Sequence, residues 1–160
     1  MTTEPDKTSA LLDVSRALGT VRAPHAVIGG VAVGIRSGVP RATMDTDFAV
    51  RSTVPRADAI RALLAAGATL RGEHIHSINF RHPNGEPVQL VFDPAFDAMI
   101  DRAEPIDVGG AAVPVVTAAD LIAMKERAAA DPARRRSKAL RDQADVALLR
   151  GDVPDPDEGW

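Results

Sequence analysis

The spacing of apolar residues along the chain alternates between helical and strand periods. Apolar positions recur at helical spacing in residues 8–22, 31–37, 55–66, 117–130 and 137–149. Strand-like runs are found at residues 26–28, 46–51, 77–81, 88–92, 106–108 and 113–116. Residues 69–76 have no clear assignment. This order predicts an α/β (α+β) fold, with a mixed, mostly antiparallel sheet packed by helices.

Glycines mark the predicted turns between these elements. Gly38 and Gly67 follow the second and third helices, where a residue with positive φ commonly ends a helix. Asn84-Gly85 joins two strand-like runs and predicts a tight type I′ hairpin. Gly109-Gly110 predicts a second hairpin. The positions of these glycines therefore agree with the element boundaries predicted from the spacing of apolar residues.

The chain has 160 residues, which suits one domain, assigned to residues 1–150 with C-terminal helices from about residue 117. Residues 151–160 contain four acids and no Lys or Arg, so we expect a disordered acidic tail. The absence of cysteine excludes disulfides and thiolate metal sites. No signal peptide or membrane span is recognisable, so a cytoplasmic protein without a membrane partner is expected.

Residues 26–50 are the most informative segment. A short apolar strand ends at Gly29-Gly30, a small helix follows, and Asp45 and Asp47 then begin the next predicted strand. Residues i and i+2 of a strand point to one face, roughly 7 Å apart, so these carboxylates could share a divalent cation such as Mg²⁺. Arg41 and Thr43 continue the same two-residue spacing and would lie on the same face of the strand. The glycine pair precedes a helix N-terminus, where backbone N–H groups favour phosphate.

These residues resemble the signature of the DNA polymerase β-like nucleotidyltransferase superfamily. Within it, the chain is similar to the bacterial AbiEii/MenT-type nucleotidyltransferase toxins. The resemblance continues in Asp120-Leu121-Ile122 with Lys125, which looks like that family's Asp-Leu-Ile-x-x-Lys helix. Arg141-Asp142 with Asp145 is similar to the element that follows it, with Arg in place of Lys. Together the matches run from about residue 26 to residue 149.

The resemblance implies a polymerase β-like fold and transfer of a nucleoside monophosphate from a nucleoside triphosphate. It implies catalytic roles for Asp45, Asp47 and Lys125, with both aspartates binding Mg²⁺. The implied nucleotide-binding residues are Gly29, Gly30, Arg41, Thr43, Lys125, Arg141, Asp142 and Asp145. Asp142 and Asp145 would orient Lys125 or Arg141, or shape the acceptor side; a surface ion-pair network is the alternative.

One position departs from the family's pattern. Gln89 stands where the family usually has a third carboxylate, and an amide cannot act as a base near neutral pH. Asp93 is expected on the same strand face, farther along. This departure leaves open a degenerate protein that binds a nucleotide or a partner without turnover. His74 and His76 lack further ligands at metal-site spacing and are expected to be surface residues.

The distribution of charge along the chain is relevant to which molecule accepts the nucleotide. The chain has a formal net charge of −3, yet Arg134-Arg135-Arg136, Lys138 and Arg141 form a basic run. The run is either a solvated helix start or a contact for polyphosphate or RNA. By resemblance, the acceptor is the 3′ end of tRNA and the protein is a toxin with a cognate antitoxin. The alternative acceptor is the hydroxyl of a small molecule such as an antibiotic.

Overall fold

The computed structural model describes residues 6–41 and 43–155, and within these ranges the chain forms six helices and seven strands. The helices are α1 (Lys7–Thr20), α2 (Gly29–Ser37), α3 (Arg56–Ala65), α4 (Asp97–Arg102), α5 (Ala118–Ala130) and α6 (Arg136–Leu149). The strands are β1 (His25–Ile28), β2 (Thr46–Val50), β3 (Thr69–Glu73), β4 (Ser77–Arg81), β5 (Pro87–Val91), β6 (Glu104–Val108) and β7 (Ala111–Val115). A short 3₁₀ turn, Pro94–Phe96, precedes α4.

All of these strands belong to a single sheet in the order β3-β4-β5-β2-β1-β7-β6. The β1–β7 and β2–β5 pairs are parallel, and the other neighbouring pairs are antiparallel. The predicted fold class, a mixed and mostly antiparallel sheet packed by helices, is therefore confirmed. The unassigned segment 69–76 contains the edge strand β3. Its residues are largely exposed, so the sequence does not alternate between apolar and polar residues there.

Both faces of the sheet are covered at its central strands, β1 and β2. At β4 and β5 only one face is covered. In β1 and β2 successive residues are buried, for example Ala26, Val27 and Phe48. In β4 and β5 burial alternates: Ile78, Phe80, Val88 and Leu90 are buried, whereas the residues between them are only partly so. The second face of β4 and β5 is thus open. It lies beside the end of β2 at which Asp47 is found.

Two local expectations were wrong. Asn84-Gly85 does not form a type I′ turn, because only Gly85 has positive φ (95°). The His82 carbonyl accepts from the Gly85 N–H, and the His82 N–H is paired with the Glu86 carbonyl, so the connection is a longer turn ending in a left-handed glycine. The Asn84 side chain caps this turn by accepting from the Glu86 N–H.

The second error concerns the residues before β2, which were expected to continue the alternation of the strand; β2 begins at Thr46, as predicted. Arg41, Thr43 and Asp45 therefore precede the strand and do not alternate along it. The helix α2 begins at Gly29, so the glycine pair forms its first turn instead of preceding it. The predicted stop at Gly38 is confirmed, with φ of 73°.

The C-terminal helices α5 and α6 pack against each other and both contact α2. Thr117 caps α5 by accepting from the Asp120 N–H, as the sequence indicated. This packing brings residues near the end of the chain to the turn between β1 and α2. Of the expected acidic tail, residues 156–160 lie outside the described part of the chain. No helix in the described part is long and apolar enough to cross a membrane.

Candidate active site

The turn from β1 into α2 allows a carboxylate to approach its backbone. Gly29 has φ of 71°, a conformation that favours glycine. A Cβ atom at this position would lie 2.6 Å from Oδ2 of Asp47. Asp47 pairs in register with Ile28 across β1 and β2, which brings its side chain to this turn. Any larger residue at position 29 would displace the carboxylate.

Gly30 provides a second close approach. A Cβ atom there would lie 2.2 Å from Nη1 of Arg41 and 3.0 Å from Oγ1 of Thr43. The two glycines thus leave room for Asp47 on one side and for Arg41 and Thr43 on the other. The structure brings all of these sequence-predicted residues to the start of α2, although two of the three polar side chains, Arg41 and Thr43, arrive from a loop and not from a strand.

Asp47 is a half-buried carboxylate, one of whose oxygens is fully buried. Its Oδ1 atom has no hydrogen-bond partner among the described residues. Burial, reinforced by the neighbouring charge of Asp45, raises the pKa of Asp47 to about 6, and the charges of Lys125 and Lys7 oppose this rise. A buried carboxylate oxygen without a partner is costly. A cation placed against it would remove that cost.

Asp45 is exposed and lies at the mouth of the same cavity, which has a volume of about 690 Å³. Its lining residues are Gly29, Gly30, Arg41, Thr43, Met44, Asp45, Asp47, Lys125, Arg134, Lys138, Arg141 and Asp142. The two carboxylates, one of them with a partnerless oxygen, suit Mg²⁺, which takes a few protein oxygens together with substrate phosphate. No group of three or more His, Cys, Asp or Glu side chains in the described chain could hold a metal, so the substrate would have to complete the site.

Lys125, on α5, is held between two buried carboxylates of α6. Its Nζ donates to Asp142 at 3.3 Å and lies 3.2 Å from Oδ2 of Asp145. The side chains of Asp142 and Asp145 are 1% and 3% exposed, so each requires a cationic partner. The ammonium group is thereby fixed near the cavity that contains Asp47.

The outer partners of the two carboxylates differ from those expected. Asp145 accepts from Nε of Arg41 at 2.6 Å, and Asp142 accepts from Nε of Arg134 at 2.5 Å. The predicted pairing with Lys125 is present, whereas Arg141 is exposed and has no ion pair or hydrogen bond in residues 6–41 and 43–155. The alternative of a surface network is wrong, because both aspartates are buried.

Sequence reasoning did not identify the support beneath the carboxylate loop. Glu86, 3% exposed, is paired with Lys7 and accepts from the Thr46 hydroxyl at 3.1 Å. Lys7 also reaches the carbonyl of Met44, 3.5 Å away. These contacts connect the start of α1 to the segment between Thr43 and Asp47. The partners are 79 residues apart in the chain, so no local pattern indicates them.

Gln89 lies beside Asp47, in register on the parallel strand β5. The resemblance predicts a third carboxylate at this position, and the amide of Gln89 cannot take up a proton in its place. Asp93 does not replace it, because it lies beyond the end of β5 and caps the 3₁₀ turn by accepting from the Ala95 N–H. His74 and His76 are exposed in the turn between β3 and β4, as surface residues.

A matched pair of glycine variants tests the close approach at Gly29. Gly29→Ala and Gly38→Ala impose the same backbone strain, because the φ angles are 71° and 73°, but a Cβ at Gly38 meets no atom within 4 Å. Each is expected to lower the free energy of unfolding by about 1–2 kcal/mol. Only Gly29→Ala is expected to lose nucleotidyl transfer. Equal activities of the two variants would show that the contact with Asp47 is irrelevant to the chemistry.

The fold is similar to that of solved nucleotidyltransferases. ANT(2″)-Ia in complex with adenylyl-2″-tobramycin superimposes with a TM-score of 0.65 and 15% identity, covering 91% of this chain and 90% of that one. The lincosamide antibiotic adenylyltransferase LnuA, lincomycin-bound, gives 0.65 and 11%, covering 94% and 99%. The Megavirus polyadenylate synthase gives 0.60 and 11%, covering 94% and 32%. At these identities the likeness establishes the fold alone.

At the level of sequence, no curated protein matches the chain. A family profile does match: that of the nucleotidyl transferase AbiEii toxin, type IV TA system, aligns with residues 11–158. This range includes the glycine turn, both candidate metal-binding aspartates, and Lys125 with its two partners on α6. The chain therefore belongs to the AbiEii nucleotidyltransferase toxin family.

Proposed function

We propose that the protein transfers a nucleoside monophosphate from a nucleoside triphosphate to the 3′-terminal hydroxyl of tRNA, and acts as the toxin of a toxin–antitoxin pair. The proposal is carried by Asp47: its Oδ1 is buried without a partner among the described residues, its Oδ2 lies against the glycine turn, and the residue shares a cavity with Asp45. Membership of a nucleotidyltransferase toxin family supports the reaction class and an antitoxin. The proposed substrates place the reaction in the cytoplasm.

In this proposal each residue of the cavity has a separate task. Asp45 and Asp47 would hold Mg²⁺, which would neutralise charge on the triphosphate. Backbone N–H groups in the first turn of α2, at Gly29 and Gly30, contact phosphate oxygens. Lys125, oriented by Asp142 and Asp145, adds a positive charge near the phosphates. Arg41 is held by Asp145 and fills the space left open by Gly30.

The transfer step is a substitution at the α-phosphorus. The acceptor oxygen forms a bond to the α-phosphorus. At the same time the bond between the α-phosphorus and the oxygen that bridges to the β-phosphate breaks, and pyrophosphate leaves with the electron pair. The proton of the acceptor hydroxyl passes to water at the open side of the cavity. Gln89 does not receive it, because an amide has no basic site near neutral pH.

The rim of the cavity supports a polyanionic acceptor. Lys138 and Arg141 are exposed, line the cavity, and have no ion-pair partner within the described residues. Unpaired cations at a cavity mouth attract phosphates, and the attraction weakens with salt. Thr43 and Met44 line the same wall without adding negative charge.

Two rival functions each have an observation in their favour. A small-molecule acceptor is consistent with the similarity of the fold to that of ANT(2″)-Ia and LnuA, the latter an antibiotic adenylyltransferase. The cationic rim disfavours a cationic aminoglycoside as acceptor. A degenerate protein that binds a nucleotide without turnover is consistent with Gln89. If this alternative is correct, Gln89→Asp is expected to restore turnover.

Transfer of label from the α-phosphate of each of the four nucleoside triphosphates to mixed tRNA tests the proposal. The wild-type protein with Mg²⁺ is expected to label tRNA and release pyrophosphate, and Asp45→Ala is expected to be inactive. Parallel reactions with tobramycin and lincomycin as acceptors separate the rival. Labelling of an antibiotic but not tRNA would contradict the RNA acceptor, and silence of wild type with every acceptor would favour the degenerate protein.

A further inference from the structure

A second, smaller cavity of about 220 Å³ lies on the open face of the sheet next to the candidate active site. It is lined by Asp45, Arg71, Asn79, Phe80, Arg81, Pro87, Val88 and Gln89. Asp45 lines both cavities, so they meet at one of the two carboxylates assigned to the metal. The remaining lining residues come from β3, β4 and β5, and none of these strands contributes to the first cavity.

The strand register arranges a row of polar side chains that begins at Asp47. Gln89 is the partner of Asp47 on β5, and Asn79 is the partner of Gln89 on β4. Residues paired in register share a face of the sheet. The row ends at β3, where the register shifts between Leu70 and Gly72 and leaves Arg71 as the extra residue of a bulge. Bulges re-aim side chains, and Arg71 lines the cavity.

The two amides of this row have no internal role. The side chains of Asn79 and Gln89 are half-buried, yet neither makes a hydrogen bond or other polar contact with any residue in the described part of the chain. Arg71 is likewise without a partner there, whereas Arg81 donates from Nη1 to the Gly85 carbonyl. Each amide offers a donor and an acceptor side by side, and each guanidinium offers a fork of donors.

We propose that this cavity binds the 3′-terminal nucleotide of the RNA acceptor. The amides of Asn79 and Gln89 hydrogen-bond the base or ribose, and Arg71 with Arg81 contacts the phosphate on its 5′ side. The 3′-hydroxyl then points towards Asp45, where the first cavity holds the triphosphate. This inference rests on the proposed function and specifies where its acceptor binds.

The division of the two cavities follows from their chemistry. The first contains the glycine turn and Lys125, which suit a triphosphate, and the second contains neither. A cationic aminoglycoside would place its ammonium groups against Arg71 and Arg81, which like-charge repulsion opposes. A nucleotide monomer unit offers both of the groups that the cavity can bind: a polar edge for the amides and a phosphate for the guanidinium groups.

The test uses the full chain, Mg²⁺, a non-hydrolysable triphosphate analogue and a 5′-fluorescent RNA hexamer with a free 3′-hydroxyl. Arg71→Gln is expected to reduce the salt slope of RNA binding by about 0.7. Gln89→Leu and Asn79→Leu are each expected to weaken RNA binding about tenfold. Binding of the triphosphate analogue, measured by calorimetry, is expected to change less than twofold in all three variants.

Arg61→Gln is the matched control, because Arg61 is exposed on α3, pairs with no described residue except Asp58, and lines neither cavity. RNA affinity that falls equally in Arg71→Gln and Arg61→Gln, or stays unchanged in Gln89→Leu, overturns the inference while leaving the proposed function intact. Asn79→Asp tests the amide without removing bulk and is expected to weaken RNA binding further. Wild type that binds the analogue but labels only a small-molecule hydroxyl overturns the choice of RNA, and wild type that binds no analogue contradicts the proposed function itself.

Discussion

Replacing Asp47 by asparagine is expected to abolish nucleotidyl transfer and to raise the thermal stability of the metal-free protein. The activity is expected to be lost because the amide is neutral, which leaves Asp45 as the one charged member of the proposed metal-binding pair. Loss of a preorganised charge at a reacting phosphate commonly costs a factor of about 10² to 10³ or more. Labelling of acceptor RNA measures this decrease.

The stability change has the opposite sign because the carboxylate is destabilising when charged. Its pKa rises from 3.8 to about 6 on folding, so its contribution favours folding below pH 4 and is lost as the pH rises through 6. At pH 8 Asp47→Asn is therefore expected to be more stable by about 2 kcal/mol, or about 4–8 °C in Tm. At pH 4 the difference should vanish.

Asp58→Asn provides the control, because Asp58 lies on α3, outside the cavity, and pairs with Arg61. It is expected to retain full activity and to change the free energy of unfolding by less than about 1 kcal/mol. An Asp47→Asn protein that is less stable than wild type at pH 8 would mean that Asp47 is already compensated. Asp47 would then need no cation beside it.

Replacing Lys125 by methionine is expected to impair both folding and catalysis. Asp142 and Asp145 are buried and would each retain a single arginine partner, Arg134 and Arg41 respectively. Because neither carboxylate is left wholly unpaired, we expect a loss of about 1–3 kcal/mol rather than the larger cost of an isolated buried charge. The loss of the ammonium near the phosphates should lower kcat/KM about 10²-fold.

Lys138→Met removes the same charge from the same cavity at an exposed position without a partner in the described structure. It is expected to leave stability and the KM for triphosphate unchanged and to raise only the KM for RNA. Thermal melts and initial rates compare the two variants. If Lys125→Met has a lower melting temperature but binds the triphosphate as the wild type does, the role of Lys125 is structural alone.

Local sequence patterns predict the parts of this fold that depend on local rules. The stripe of residues in α5, the cap at Thr117 and the stop at Gly38 each follow from interactions within one turn. The grouping of Asp45 and Asp47 near the glycine turn was also predicted, but for a partly wrong reason. Asp45 reaches the cavity from a loop that precedes β2, not by alternation along a strand.

The remaining features depend on contacts that are distant in the chain. Arg41 pairs with Asp145 across 104 residues, and Lys7 with Glu86 across 79, so charge spacing could not indicate either pair. The second cavity requires the register of β4 and β5 together with a bulge in β3, and β3 is too exposed to show a strand period. Asn79 was therefore not recognised as a candidate.

The most direct test of the account is a crystal structure of the protein with Mn²⁺ and an α,β-methylene nucleoside triphosphate. We expect an anomalous peak for the metal within about 2.2 Å of oxygens of both Asp45 and Asp47, with the triphosphate against Gly29 and Gly30. A metal bound elsewhere, or a triphosphate bound away from the turn between β1 and α2, would contradict it.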